Sequence, residues 1–231
     1  MTARFALYLA PVIGSRLAIF GNHWLGRDAE SGASLKQPKV DGLDEARLRA
    51  ITEAPRLYGF HGTLKPPFRL AEGRSEAELR HALAAFAQRQ ETFAVPALRL
   101  QQIGDFLALT PREPVPSLSA LADACVTEFD SYRAPPEPAE LFKRRAANLT
   151  PRQEDLLARW GYPYVLDEFR FHLSLTGSIA DATERARLMA LLPPLLAPAL
   201  AEPMPVRELC LFIQPDRAAA FRLAQRFPFQ S

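Results

Sequence analysis

The chain has 231 residues, of which 48% are hydrophobic and 23% charged, with a net charge of +2. There is enough apolar material here for one large globular domain or two small lobes. A balance this close to neutral argues against an extended surface that wraps nucleic acid, while leaving room for a small anionic substrate. The opening MTARFALYLAPVIG lacks the small-residue cleavage pattern of a signal peptide. The longest apolar run, LMALLPPLLAPAL at 188–200, is too short and too rich in proline for a bilayer span, and reads as a helix end and loop. The two cysteines, Cys125 and Cys210, sit among apolar neighbours without metal-ligand spacing. Read as buried free thiols, they give the expectation of a cytoplasmic protein.

In chain order, RFALYLAP at 4–11 predicts a strand and LAIFGNHWLG at 17–26 a short helix. The polar stretch 27–42 predicts a loop or flap. A helix with an acidic start follows at 44–52. Residues 75–90 predict a stronger helix, because Ser75 and Glu78 form a capping-box pair and Leu79, Leu83 and Phe86 make one apolar stripe. TFAVPALRLQQI and DFLALTP predict strands about a turn at Gly104. Helices are expected at 117–130, 137–147 and 151–160, with the prolines of YRAPPEP as punctuation. A strand at 168–176, a helix at 182–192, a strand segment at 205–215 and a last strand in AAFRLAQRFPF close the chain. Segments 58–110 and 168–228 thus share one order: motif strand, helix, strand, strand. That repeat points to two similar α+β lobes, with 111–167 as a largely helical insertion or bridge.

The repeat carries two short motifs. YGFHGTLKPPF occupies 58–68 and EFRFHLSLTGS occupies 168–178, and two of the four histidines fall at matching places in them. Strand side chains alternate faces. Phe169, Phe171, Leu173 and Leu175 then share a core face, opposite Glu168, Arg170, His172, Ser174 and Thr176. Likewise His61, Thr63 and Lys65 alternate with Phe60, Gly62 and Leu64. Two lobes related by a pseudo-twofold would bring both polar faces to one groove holding two histidines and two hydroxyls, with Lys65 and Arg170 as nearby cations.

That inventory suits a phosphodiester. One imidazole can take a proton from attacking water while the opposite imidazolium protonates the leaving oxygen. Thr63 and Ser174 can donate to the non-bridging oxygens. Lys65 or Arg170 can add positive potential, arginine with the better geometry for a clamp. Tyr58 is a candidate for stacking on a base or for packing, with Gly59 and the turn deciding its side.

At these residues the sequence resembles the 2H phosphoesterase superfamily, named for paired H-x-[T/S]-x motifs, here HGTL at 61–64 and HLSL at 172–175. Over nearly its whole length it is similar to one branch, the phosphonate-metabolism proteins of bacterial phosphonate-utilisation gene clusters, a domain family of unassigned function. RFALYLAP, WLGRDAE at 24–30, YGFHGTLKPPFRLAEG at 58–73, EFRFHLSLTG and LCLFIQPD carry that likeness. The resemblance implies an α+β, bilobal fold with mainly antiparallel sheets and the motif strands lining a central cleft. It implies metal-independent hydrolysis of a small cyclic phosphodiester, nucleotide- or ribose-derived, without a cofactor. His61 and His172 are then the acid–base pair, and Thr63 and Ser174 hold the phosphoryl group.

Other residues have plainer readings. Arg27 and Arg56 are candidate phosphate contacts, and the loop after His23 is a candidate cover for substrate. His81 lies off its helix's core stripe and is expected in solvent. Tyr162 and Tyr164 are placed to shape the groove, and Pro66 and Pro67 to end the first motif strand. Two alternatives stand beside the hydrolase: a module that binds a nucleotide or RNA end without turnover, and a metal-dependent phosphohydrolase drawing on Asp41, Asp105 or Asp167, none of which has convincing ligand spacing. No GxGxxG or GxxxxGK[S/T] run occurs, so dinucleotide-binding and P-loop readings have no motif.

Overall fold

The RFALYL segment forms β1 (Arg4–Leu9), whose alternation divides the molecule in two. Phe5, Leu7 and Leu9 join the main apolar core, while Ala6 and Tyr8 face a smaller aromatic cluster with Phe212 and Phe221. A computed structural model describes residues 3–230. The helices are α1 (Arg16–Leu25), α2 (Glu45–Tyr58), α3 (Glu76–Ala87), α4 (Pro116–Glu128), α5 (Pro138–Arg145), α6 (Pro151–Trp160) and α7 (Ala182–Leu196). The strands after β1 are β2 (Gly62–Phe68), β3 (Phe93–Val95), β4 (Leu98–Ile103), β5 (Phe106–Pro111), β6 (Leu173–Ser174), β7 (Met204–Val206), β8 (Glu208–Gln214) and β9 (Arg222–Pro228).

Seven strands make one sheet in the order β4-β5-β6-β2-β1-β8-β9, and β3 pairs separately with β7. All these pairings are antiparallel. The fold is therefore α+β with mostly antiparallel sheets. Apolar stripes of α1, α2, α3, α4 and α7 supply the core with residues such as Trp24, Ile51, Leu83, Leu121 and Leu192. Local signals set several helix ends. Ser75 and Glu78 close the expected capping box on α3, and Thr150 with Gln153 does the same on α6.

The order of the sheet interleaves the two repeats. The β4–β5 hairpin of the first repeat lies beside β6 of the second, while the β8–β9 hairpin of the second lies beside β1, which in turn pairs with β2. The halves meet where β2 pairs with β6, at Gly62 opposite Leu173. A Cβ on Gly62 would stand 2.1 Å from the Phe171 ring, so only glycine lets this ring cross over β2.

Three expected boundaries move. The second motif strand shrinks from 168–176 to Leu173–Ser174, because Leu166–Glu168 is a turn of 3-10 helix and the chain up to His172 pairs with nothing. Conversely, β2 runs through Pro66 and Pro67 to Phe68, opposite Phe5. Irregular register in this part of the pair accommodates the missing N–H groups. α7 also continues through Pro193 and Pro194, held by the buried side chains of Leu192 and Leu196.

Candidate active site

The register at Gly62–Leu173 sets the geometry of the motifs. It brings the residues flanking that pair, His61 and Thr63 of one motif and His172 and Ser174 of the other, to the same part of the sheet. The charge of His172 acts on His61.

Both imidazoles are held in the same way. His61 Nδ1 lies 2.8 Å from the Gly59 carbonyl oxygen, and His172 Nδ1 lies 2.8 Å from that of Arg170. A carbonyl only accepts, so each Nδ1 carries the proton and each Nε2 is the free basic position. His61 Nε2 is 3.1 Å from Thr63 Oγ1, which donates to it. The Gly59 anchor needs φ +83°, and a Cβ there would meet that of Ala29 at 2.4 Å.

Their surroundings differ in depth. His61 stacks on Tyr8, with ring centroids 3.7 Å apart and planes at 20°. Desolvation holds the His61 imidazole down at about 4, against the Gly59 carbonyl, which favours the charged form. His172 lies 5.6 Å from the Phe106 ring centroid, and burial lowers its pKa too, opposed by the Arg170 carbonyl. The cleft beside it has a volume of about 440 Å³ and is lined by Thr63, Phe106, Tyr162, Tyr164, Arg170 and His172 among others. Such a wall offers aromatic faces for a sugar or base and one exposed guanidinium for an anion.

Lys65 departs from its expected place. Tyr8 pairs with Thr63 but Leu7 pairs with Lys65, so β2 carries one extra residue between the two pairs. This bulge turns Lys65 to the helix-covered face. There its ammonium donates to the Val126 carbonyl at 2.9 Å near the end of α4 and lies 3.7 Å from Asp130. Burial lowers its pKa to about 8, with Asp130 opposing. Thr176 also leaves the predicted polar face: it is buried, and its Oγ1 accepts from the Leu107 N–H.

Tyr58 ends α2 instead of preceding Phe60 on a strand. It stacks on Phe221 at 5.2 Å and stands 6.2 Å from the His61 ring. Arg27 and Arg56 are tied inward, Arg27 to the carbonyls of Arg56 and Phe221 and Arg56 to that of Leu25. His23 holds the Lys36 carbonyl at 3.0 Å. The 27–42 loop, expected as a flap, packs on β9 through Ala29–Leu223 and Ser31–Arg222 bonds, and none of its residues lines the cleft. His81 is exposed, and both cysteines are buried and free. Asp105 lies in the cleft wall bonded to Ser178, and Asp167 pairs with Arg152. Among the described residues no three His, Cys, Asp or Glu side chains gather as a metal-ligand set, and no helix is long and apolar enough to cross a membrane.

The family model described as "Protein of unknown function (DUF1045)" matches residues 63–222, more than half of the chain. The chain belongs to this family. Over 179 residues it is 43% identical to "Ribose 1,5-bisphosphate phosphokinase PhnN" of Janthinobacterium sp. (strain Marseille), covering 78% of this chain and 40% of that protein. Over 227 residues it is 36% identical to the protein of the same name from Laribacter hongkongensis (strain HLHK9), covering 96% of this chain and 51% of that protein. The chain therefore spans about half the length, or less, of these curated relatives. Among solved structures it is similar to a phosphoesterase, at TM-score 0.43 and 16% identity over the full length of both chains. It is also similar to E. coli LigT complexed with 3′-AMP, at TM-score 0.45 and 16% identity over the full length of both.

Within this DUF1045 chain, the motifs did not disclose Tyr8. Tyr8 sits in an opening strand whose pattern is uniformly apolar, so only the pairing of Tyr8 with Thr63 reveals that its ring supports His61. The signal for Tyr162 was its place just before the second motif, and the structure sets it, with Tyr164, in the cleft wall.

Proposed function

We propose that this chain hydrolyses a small cyclic phosphodiester, nucleotide- or ribose-derived, by two-histidine acid–base chemistry that needs no metal. The observation that carries this reading is the shared anchoring of His61 and His172. Each has its Nδ1 proton committed to a carbonyl two residues back, which leaves both Nε2 atoms as the basic positions, that of His61 with the Thr63 hydroxyl beside it. In-line displacement at phosphorus needs one group to take a proton and one to give it, on opposite sides. Thr63 and Ser174 serve as donors to the phosphoryl oxygens, and Arg170 adds positive potential from the rim.

The different depths of the two rings suit a division of roles. His61, held at about 4, is neutral at working pH and fits the base. His172 is nearer the open cleft and fits the acid. An anionic substrate raises both pKa values and supplies the proton-uptake step that arms the acid. The reaction adds water across one P–O bond: the hydroxyl joins phosphorus, and the proton ends on the departing oxygen.

The chain covers 40% and 51% of the two kinases it resembles, and it carries no GxxxxGK[S/T] run. That name is therefore not carried over to this half-length match. A link to phosphonate metabolism rests on the sequence resemblance.

The test is a product-mass panel of 2′,3′-cyclic nucleotides, ribose 1,2-cyclic phosphate derivatives, 3′,5′-cyclic nucleotides, a linear dinucleotide and a simple phosphonate, each with and without exhaustive chelation. Opening of a small cyclic ester that survives chelation is expected. Preference for the linear diester or for carbon–phosphorus cleavage would remove the substrate assignment. Loss on chelation, restored by one divalent ion, would replace the mechanism with a metal-dependent one.

A further inference from the structure

Behind Tyr58 and Tyr162 lies a second cavity of about 210 Å³ that the two-histidine chemistry does not use. Six cations line it: Arg4, Arg69, Arg133, Lys143, Arg144 and Arg217. Glu140 is the one acidic residue in its wall. Compensation is incomplete. Arg69 and Arg217 share Glu137 and Glu140, and Arg133 pairs with Asp130. Among the described residues no carboxylate lies within ion-pair distance of Arg4, Lys143 or Arg144. In a chain of net charge +2, that is a strong local concentration of positive potential.

The cavity adjoins the cleft of the candidate active site. Tyr162 lines both spaces. Tyr58 lines the basic one and stands 6.2 Å from the His61 ring. Arg144 lies 4.5 Å above the Tyr162 ring, and Arg4 lies 5.3 Å above the Phe221 ring on which Tyr58 stacks. Tyr58, Tyr162 and Arg4 are all near enough to influence Tyr8, the ring beneath His61. A ligand held at the histidines thus reaches the basic cavity across little more than one aromatic ring.

We propose that this cavity is a second anion subsite, and that the substrate is a phosphodiester that also carries a terminal phosphate monoester on a short linker. The proposal builds on the phosphodiesterase reading. A diester has one negative charge and needs no such collection of cations, whereas a monoester approaches a dianion near neutral pH. Arginine forks match its oxygens in pairs. A bounded pocket recognises one such group, unlike a stripe of cations that tracks a polymer.

The test separates the subsite from the chemistry. Binding of adenosine 2′,5′-bisphosphate and adenosine 2′-monophosphate is measured by titration calorimetry on the wild-type chain and on Lys143→Gln, Arg144→Gln and the double variant. Both side chains are exposed on α5, and thermal melting checks that each variant folds. The wild type is expected to favour the bisphosphate by about 10-fold or more, and the double variant to lose most of that preference. Equal binding of the two nucleotides by the wild type overturns the subsite, as does a preference that survives the double substitution. If the preference follows Lys143 and Arg144 while no cyclic ester is turned over, the subsite stands and the hydrolase reading falls. If cyclic esters are opened and the preference is missing, the subsite alone falls.

Discussion

Gly62 of β2 faces Leu173 of β6 across the pairing that joins the two halves of the sheet, and this pairing brings His61 and Thr63 of one motif near His172 and Ser174 of the other. The candidate chemistry depends on that register. A slip of one residue would send either set of side chains into the apolar layer.

The glycine is therefore a direct test of the geometry. Gly62→Ala places a methyl group 2.1 Å from the Phe171 ring, which is buried and cannot swing away freely. A loss of about 1–3 kcal/mol in stability is expected, with strand separation and loss of turnover. Urea unfolding and an activity assay measure both. Full activity and unchanged stability would show that the strands do not approach as described.

Alanine at His61 or His172 is expected to slow the chemical step by about 100-fold to 10,000-fold, with the folded state retained. The double variant should lose less than the product of the single effects, because the pair acts as a unit. Single-turnover rates are the measurement. Negligible effects for both would leave the histidines a binding or structural role.

Thr63→Val and Ser174→Ala are expected to cost less, about 10-fold to 1,000-fold each, as the loss of one donor to the phosphoryl group. In the unliganded chain the single Thr63 proton goes to His61 Nε2 at 3.1 Å and must turn away from it to reach a phosphoryl oxygen, so its removal should change the pH dependence of the rate as well. A Thr63→Val profile superimposable on that of the wild type would argue against that contact.

His61 makes stability depend on pH. Its folded pKa of about 4 lies below the ordinary histidine value of 6.5. Between these values the unfolded chain binds a proton that the native state does not. Its contribution is present in full above about pH 6.5 and is lost as pH falls toward 4. Because the ring is only partly buried by its neighbours, the expected loss is on the order of 1–3 kcal/mol. Urea midpoints at pH 7 and pH 4.5 should drop further for the wild type than for His61→Gln. Equal drops would mean that His61 is protonated freely in the native state.

Lys65→Met separates the two places this lysine has been given. The structure puts its ammonium on the Val126 carbonyl behind the sheet, where methionine fills similar volume without burying a charge. The expected outcome is a stability change within about 1.5 kcal/mol and a KM within a few fold of the wild type. A KM raised by about 10-fold or more at unchanged stability would return Lys65 to the cleft.

Much of this was legible along the chain. Helix starts were written locally, in Ser75 with Glu78 and in the proline-punctuated segments before α5 and α6. Hydrophobic alternation marked the strands, and the repeated His-x-hydroxyl pattern marked His61, Thr63, His172 and Ser174, because capping, periodicity and composition act over a few residues. Pairing partners act over long separations and were decided only in three dimensions. The bulge between Thr63 and Lys65 depends on β1, and it broke the alternation that had placed Lys65 in the groove. The short β6 follows from what lies beside it, not from its own residues. The pairing of β1 with β2 brought Tyr8 under His61, and packing of α2, α5 and α6 gathered arginines scattered from Arg4 to Arg217 around one cavity. No local pattern encodes those meetings, since a cation far along the chain becomes a neighbour only when burial of the apolar faces folds the chain back upon itself.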